Sequence, residues 1–255
     1  MSALVRRRIG PFGLKDIFTL VNLVSGVIAL RFLLADHLHR AGYAIVIGYL
    51  AGDLLDGAVA RLTNTGNRFG AEFDSVTDHF VHVMVPALIF YRAYDRGHHG
   101  WLGLAGAGAL IAAATIRHAR LSVERFNFPC WCGLPRTIAG FAALSFPLSH
   151  LFFADNPARF WTGFFVVVAL SALTLLPIPY RHHRGDDPLP FHVKVFVGLF
   201  IVTPVVVFAF DRVYAFDLFF FWIAGYAATG WFPVGREGRQ RFYVEYRRWA
   251  AETAR

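Results

Sequence analysis

Long uninterrupted runs of apolar residues dominate this chain and restrict what it can fold into. The hydrocarbon core of a bilayer needs roughly 20 apolar residues per crossing helix, and runs close to that length are found along the whole sequence. They cover 17–35, 41–60, 70–91, 101–119, 133–153, 160–179, 191–210 and 213–233. With 56% hydrophobic and 16% charged residues, the chain is too apolar for an ordinary soluble domain. We therefore expect an all-α integral membrane protein, a polytopic bundle of about eight transmembrane helices.

No low-complexity linker or internal repeat divides the chain, so we expect one membrane domain with two short ends. The basic N-terminal segment 1–16 is expected to lie at the membrane interface, and the transmembrane domain covers 17–233 as a six-helix core followed by two C-terminal helices. The last apolar run could instead form a single re-entrant element. The cytoplasmic tail 234–255 interleaves basic and aromatic residues, as in a helix at the lipid headgroups. A solvated, disordered tail is the alternative.

The placement of positive charge predicts the orientation in the membrane. Most of the 25 Lys and Arg residues fall on the side that holds both termini. On the opposite side lie only Arg40, Arg92, Arg96, Arg159 and Arg212. The positive-inside rule then predicts a multi-pass protein of the cell (inner) membrane with both termini in the cytoplasm. The net charge of +8 is spread over loops beside the membrane, which indicates anionic headgroups as partners and not nucleic acid. In this topology Cys130 and Cys132 lie in a cytoplasmic loop, where reduced thiols are expected.

Four aspartates stand at helical spacing inside this apolar sequence. Asp53 and Asp56 are three residues apart, and Asp74 and Asp78 are four apart, so each pair projects from one face of its helix. The short segment between the two helices lets these faces meet at the cytoplasmic edge. Acidic groups in hydrocarbon cost roughly 2.5 to 3.5 kcal/mol each, and hard cations are the natural partners of carboxylate oxygens. We expect two divalent ions, Mg²⁺ or Mn²⁺, together with a phosphate-bearing substrate. The alternative is a cation or proton pathway in a transporter.

The residues between these aspartates complete a specific pattern. From Asp53 to Asp78 the chain reads D-x2-D-G-x2-A-R-x8-G-x3-D-x3-D. This string resembles the signature of the CDP-alcohol phosphatidyltransferase family, and every fixed position is filled. The resemblance implies an enzyme that transfers a phosphatidyl group from CDP-diacylglycerol to a small polar alcohol and releases CMP. It also implies a homodimer formed through the membrane spans.

The resemblance assigns roles to residues of the motif. Asp53, Asp56 and Asp74 would bind metal, and Asp78 would lie at the same site as the candidate general base. Gly57, Ala60 and Gly70 would border the cytidine nucleotide, with Arg61 close by.

Three further segments resemble the multi-span phosphatidylserine synthases of that family. They are 19–26, 116–121 with Gly133-Leu134-Pro135 downstream, and 173–180. This resemblance implies L-serine as the acceptor and phosphatidylserine as the product. The chain departs from those synthases directly after Pro135, where it has Arg136 and they usually have a small residue. Glycerol phosphate, inositol phosphate, choline, ethanolamine or a lipid therefore stay open as acceptors.

Arginines near the predicted site are candidates for binding anionic groups of the substrates. Arg117 and Arg120 share one helix face at i and i+3, and guanidinium groups pair well with phosphate or carboxylate. We expect these two to contact the nucleotide-activated lipid. Arg125, Asn127 and Arg136 are weaker candidates for contacts to the acceptor. Positive-inside anchoring of the loop is the alternative role for each arginine.

Overall fold

The computed structural model describes residues 12–53, 67–123, 130–153, 156–181, 198–199, 202–203 and 206–253. These residues are mostly helical, as expected. The helices are α1 Leu14–Leu34, α2 Leu38–Gly48, α3 Arg68–His79, α4 Val85–Arg96, α5 Gly100–Val123, α6 Arg136–Ser145, α7 His150–Phe153, α8 Ala158–Leu175, α9 Arg212–Thr229 and α10 Arg236–Thr253. Two π-helical turns, Tyr49–Asp53 after α2 and Phe80–Met84 between α3 and α4, continue the helices on which they lie.

The first helix is built with its polar residues inside and its apolar residues outside. Its buried face carries Asp16, Thr19, Asn22 and Ser25, whereas Ile17, Val24 and Val27 on the other face are each about half exposed. In a water-soluble bundle the apolar face would point inward. The inverted arrangement is the one expected where lipid surrounds a helix and polar groups face the bundle interior. In the described part of the chain, the helical stretches Lys15–Leu34, Gly100–Leu121 and Ala158–Leu175 are long and apolar enough to cross a membrane.

The predicted span over 133–153 does not form one helix. Residues Arg136–Ser145 are α-helical, Phe146–Leu148 form a 3₁₀ turn, and Ser149 has extended backbone before the short α7. The break falls at Pro147, since proline has no backbone N–H and clashes with the preceding turn. The predicted span 160–179 also ends early, at Leu175, because Pro177 and Pro179 follow directly.

A short β-ribbon joins two loops on the side of the molecule where α5 and α8 end. Strand β1, Cys130–Cys132, pairs antiparallel with β2, Pro179–Arg181, with Trp131 opposite Tyr180. Gly133 forms the turn between β1 and α6. Its φ of +73° is a backbone conformation that favours glycine. The Gly133 amide donates to the carbonyl of Ile178 at 2.8 Å. This ribbon within the otherwise helical structure was not predicted from the sequence, and it explains the Gly133-Leu134-Pro135 sequence as a turn.

The main core lies where α4, α5, α6 and α8 pack together, with α1 against α2 beside it. Tyr94 and Phe90 are fully buried there, and the Tyr94 hydroxyl donates to the carbonyl of Phe160 at 2.8 Å. The π-helical turn Phe80–Met84 packs against both α1 and α6. This arrangement brings the acidic parts of two helices to the polar face of α1.

The basic tail forms a helix that packs on the ribbon. Phe242 of α10 is fully buried and forms a small cluster with Cys130 and Cys132. The two thiols are free, and burial raises the pKa of the Cys130 thiol to about 12. Residues 236–253 are therefore helical and held by an aromatic anchor, while their contact with lipid headgroups stays a prediction.

Replacing Phe242 with Ala is expected to expose the two thiols. Removing a buried phenyl ring costs about 3 to 5 kcal/mol, which is enough to release α10 locally from the ribbon. In the parent chain maleimide labelling near pH 7 should be slow, because the thiols are covered and the raised pKa of Cys130 leaves little thiolate. In the variant we expect labelling at least tenfold faster, measured by mass spectrometry. Val244→Ala is the matched control, since Val244 is 69% exposed on the same helix. Equal labelling rates in the Phe242 variant and the parent would show that α10 does not cover the ribbon.

Candidate active site

Close packing of α1 on α2 places the first aspartate. Asp53 is the last residue of the π-helical turn Tyr49–Asp53, and the preceding Gly52 lies against the backbone of α1. A Cβ at Gly52 would be 2.8 Å from both the backbone nitrogen of Asn22 and the backbone carbonyl oxygen of Phe18. Only glycine permits this approach. Asp53 is thereby held beside the polar face of α1.

The second pair of aspartates lies on α3. The Asn67 side chain caps this helix by accepting a hydrogen bond from the amide of Gly70 at 2.6 Å. Asp74 and Asp78 follow on the same helix one turn apart. Gly70, predicted to border a nucleotide, packs against Lys15 and Asp16 at the start of α1, where a Cβ would lie 2.6 Å from the Lys15 Nζ. Its packing position is thus fixed, and its role toward a nucleotide stays a prediction.

The structure brings Asp53 and Asp78 together with a histidine that the sequence analysis did not select. Ligand atoms of Asp53, Asp78 and His82 all lie within 4.8 Å of one another. His82 is fully buried, and its Nε2 lies 3.6 Å from Asp78 Oδ1 and 3.1 Å from Asn22 Nδ2. π-helical turns are frequent at functional sites, and here one ends at Asp53 while the other contains His82.

The residues at this point fit a divalent cation. Asp74 lies one turn before Asp78 and is not in the group whose ligand atoms lie within 4.8 Å of one another, but its Oδ1 is buried and has no hydrogen-bond partner among the residues that the structure describes. A buried carboxylate oxygen without a partner is costly, and a cation bound by oxygen donors would satisfy it. Asp56 lies outside the described residues, as do Gly57, Ala60 and Arg61. Carboxylates together with an imidazole form a donor set suited to Mn²⁺ or a related ion.

Arg117 and Arg120 are used to hold the ribbon and the end of α8. Arg117 donates to the carbonyl of Cys132 at 3.2 Å, and Arg120 donates to the carbonyl of Leu175 at 3.1 Å. Arg117 is only 7% exposed. The observed contacts are therefore structural, and substrate binding by these two residues stays a prediction. Arg125 and Asn127 lie outside the described residues.

Among the three candidate arginines that the structure describes, Arg136 is the one that the fold directs toward α3, which carries Asp74 and Asp78. It donates to the backbone carbonyl of Ser75 at 2.9 Å and to the Ser75 hydroxyl at 3.0 Å, and it contacts His118 Nδ1 at 2.9 Å. Its charge interacts with those of Asp78 and Asp74. Ser75 sits between these aspartates on α3, so the guanidinium lies beside the site on its α6 side.

Two signals in the sequence could have pointed to the additional site residues. His82 follows Asp78 by four residues, the spacing that puts two side chains on one helix face. Asn22 is a polar residue inside an apolar span, and such residues usually face the bundle interior. Both residues occur in runs that are otherwise apolar, where a single polar residue is easily taken for part of the core.

The sequence of this chain matches a known family over the region that builds the site. The family model described as CDP-alcohol phosphatidyltransferase matches residues 13–169. The chain belongs to this family. The match runs from α1 into α8 and therefore includes all four aspartates and His82. The prediction of an enzyme of this family is confirmed, and the alternative of a transporter is set aside.

Curated relatives refine this placement. A CDP-diacylglycerol–serine O-phosphatidyltransferase of Helicobacter pylori (strain J99) is 27% identical over 201 residues, which is 74% of this chain and 82% of the relative. The protein of the same name from Mycobacterium tuberculosis (strain H37Rv) is 34% identical over 206 residues, covering 77% of this chain and 71% of the relative. One from Methanocaldococcus jannaschii is 28% identical over 122 residues, 48% of this chain and 54% of the relative. Within the family, the chain is an enzyme of the phosphatidylserine synthase type.

Proposed function

We propose that this chain transfers the phosphatidyl group of CDP-diacylglycerol to the hydroxyl of L-serine, giving phosphatidylserine and CMP. The observation that carries the proposal is the meeting of Asp53 and Asp78 at a buried histidine, inside the stretch that matches the family. The names of the relatives support serine as the acceptor.

In the proposed reaction the serine hydroxyl oxygen attacks the phosphorus of the lipid phosphate. The bond from that phosphorus to the CMP oxygen breaks, and CMP leaves with the bonding electrons. Asp78 accepts the hydroxyl proton, a role typically worth about 10² to 10⁴ in rate. Asp53, Asp56, Asp74 and Asp78 would hold Mg²⁺ or Mn²⁺, which when bound stabilises charge on the phosphates and on the leaving group.

The neighbouring residues would bind the two substrates. Gly57, Ala60 and Gly70 are proposed to border the cytidine, with Arg61 close to the phosphates. Among the described residues Arg136 is the best-placed group for the carboxylate of serine, because its guanidinium contacts Ser75, which lies between Asp74 and Asp78 on α3, and planar guanidinium groups bind carboxylates through two hydrogen bonds.

The proposed setting is the cell (inner) membrane, with about eight spans, cytoplasmic termini and the aspartates at the cytoplasmic edge. The domain is proposed to cover 17–233, between the interfacial segment 1–16 and the tail 234–255. Support comes from the inverted α1 and from the helices long enough to cross a bilayer. A homodimer through the spans is part of the proposal, and chemical crosslinking in bilayers tests it.

A panel of labelled alcohols tests the proposed function. Purified protein in bilayers would receive CDP-diacylglycerol, Mn²⁺ or Mg²⁺ and either serine, glycerol 3-phosphate, inositol phosphate, choline or ethanolamine. We expect CMP release that depends on serine. If another alcohol gives faster CMP release than serine, that alcohol is the acceptor, and the class of reaction is unchanged.

Replacing Arg136 with Ala is expected to weaken serine binding selectively. A hydrogen bond to a charged group is worth about 1.5 to 3 kcal/mol, so we expect the KM for serine to rise by a factor of about 10 to 100. The KM for CDP-diacylglycerol should stay within about twofold. Steady-state kinetics with each substrate varied in turn measures both values. Arg96→Ala is the control, because Arg96 pairs with Asp36 at a distant loop. A rise confined to the donor KM would assign Arg136 to the lipid phosphate and contradict the serine assignment.

A further inference from the structure

The ring of His82 is fixed in one position by its packing. The residue lies in the middle of the π-helical turn Phe80–Met84 and is fully buried. Phe141 stacks on the imidazole with ring centroids 5.5 Å apart, and Tyr49 meets it edge-on at 5.7 Å. A ring held between two aromatic side chains has little freedom to rotate away from the aspartates. Its position next to Asp53 and Asp78 is therefore built into the fold.

The Nε2 atom of His82 has two close polar neighbours, Asn22 and Asp78. Asn22 Nδ2 lies 3.1 Å from it, and an amide NH₂ group can only donate. With the amide in this orientation Nε2 is the acceptor, so its one lone pair is engaged by Asn22 in the described structure, and a cation bound by Nε2 would replace this hydrogen bond. The same nitrogen is 3.6 Å from Asp78 Oδ1. An acceptor nitrogen has no proton to share with a carboxylate, so a cation that replaced the Asn22 hydrogen bond would give Nε2 a common partner with the carboxylates of Asp53 and Asp78.

The Asn22 amide is only partly satisfied by its contact with His82. Asn22 is 1% exposed, and its Oδ1 has no hydrogen-bond partner within the described ranges. This oxygen belongs to the amide group that contacts His82. Buried polar atoms without partners are rare in folded proteins, so the hydrogen bond that a cation at His82 would replace belongs to an amide that is incompletely paired.

We propose that His82 is a direct nitrogen ligand of one divalent cation in this site, together with Asp53 and Asp78. The inference rests on the proposed function and deepens it, since the four aspartates alone offer only oxygen. An imidazole ligand favours Mn²⁺ over Mg²⁺, because Mg²⁺ prefers oxygen ligands and water. The chain should therefore bind Mn²⁺ more tightly than Mg²⁺.

Pulsed EPR on the Mn²⁺-loaded protein tests the ligand directly. Electron spin echo modulation from directly bound ¹⁴N is expected in the parent chain. Protein made with ¹⁵N-labelled histidine should replace that pattern with the ¹⁵N pattern, and this control needs no substitution. Mn²⁺ that binds with no histidine nitrogen coupling would overturn the inference and would leave His82 as a residue that only orients Asp78.

Two variants identify which histidine is responsible. His82→Gln keeps a polar side chain but removes the imidazole, and we expect the nitrogen coupling to vanish and the Kd for Mn²⁺ to rise at least tenfold. The Kd for Mg²⁺ should change less. His79→Gln is the matched control, because His79 lies on the same helix and its ring contacts Thr115 at 3.3 Å. If the coupling persists in the His82 variant, His82 is not the ligand.

The assay for CMP release separates this inference from the proposed function. If the protein releases CMP in a serine-dependent way but its bound Mn²⁺ shows no coupling to a histidine nitrogen, the assignment of His82 as a ligand is wrong and the proposed phosphatidyl transfer stands. A protein that binds no Mn²⁺ and releases no CMP would contradict both.

Discussion

Asp78→Asn is expected to lower serine-dependent CMP release by a factor of about 10² to 10⁴. The amide keeps the size of the carboxylate and an oxygen that can still contact a cation, but it cannot accept the hydroxyl proton. The side chain is only 18% exposed, so bulk water cannot easily take over as the base. The rate is measured with CDP-diacylglycerol, labelled serine and saturating Mn²⁺, and Mn²⁺ binding is measured on the same sample.

Glu72→Gln is the matched control for this variant. Glu72 is exposed on the same helix, and its replacement makes the same change in charge. We expect its rate to stay within about twofold of the parent. An Asp78→Asn protein that binds Mn²⁺ and works as fast as the parent would show that Asp78 is not the base.

The second large effect is expected at Gly140, which the sequence analysis did not assign to the site. Gly140 of α6 packs directly against the backbone carbonyl of His82, and a Cβ there would also lie 2.8 Å from the His82 carbonyl carbon. Backbone cannot yield as a flexible side chain can, so Gly140→Ala must displace the turn that carries His82. Overpacking of this kind costs about 1 to 3 kcal/mol, and a displacement near 1 Å at a reacting centre can lower the rate about 10²-fold.

We therefore expect Gly140→Ala to lower both the melting temperature and serine-dependent CMP release, the latter by about 10²-fold. Gly108→Ala is the control, because a Cβ at Gly108 meets no atom within 4 Å among the described residues. Gly108→Ala should keep the parent rate and melting temperature. A Gly140 variant with unchanged rate would mean that the position of the His82 turn does not matter for catalysis.

The convergence of Asp53 with Asp78 was predictable from the sequence because it depends on local periodicity. Residues three or four apart share a helix face, and a short connection makes two such helices neighbours. Apolar run lengths likewise predicted α1, α5 and α8, which are nearly regular helices. These features need no knowledge of distant contacts.

The parts that could not be predicted depend on long-range packing. The i+4 spacing puts His82 on the helix face of Asp78, but its burial beside Asp53 depends on the close approach of α6 at Gly140. The ribbon pairs residues about 50 positions apart in sequence. Each strand is too short to be predicted from its sequence pattern. Pro147, where the helix breaks, is a residue that favours such a break. The span over 133–153 was nevertheless predicted because its apolar run is long enough to cross a membrane.

Arg117 and Arg120 make structural contacts that the sequence did not predict. An arginine near a predicted phosphate site suggests a substrate contact, yet both side chains donate to carbonyls of the ribbon turn and of α8. Arg136, ranked lower from the sequence, is the one that contacts Ser75 between the aspartates. Which arginine faces the site is decided by the packing of α5 and α6, and spacing along one helix does not contain that information.

The central claim is that the aspartate site joins a phosphatidyl group to serine. The most direct measurement follows both products from purified protein in bilayers supplied with CDP-diacylglycerol, Mn²⁺ and ¹⁴C-labelled serine. The account predicts labelled phosphatidylserine and CMP in equal amounts, both lost together in Asp78→Asn. CMP formed without labelled lipid, or neither product in a folded protein that binds Mn²⁺, would contradict it.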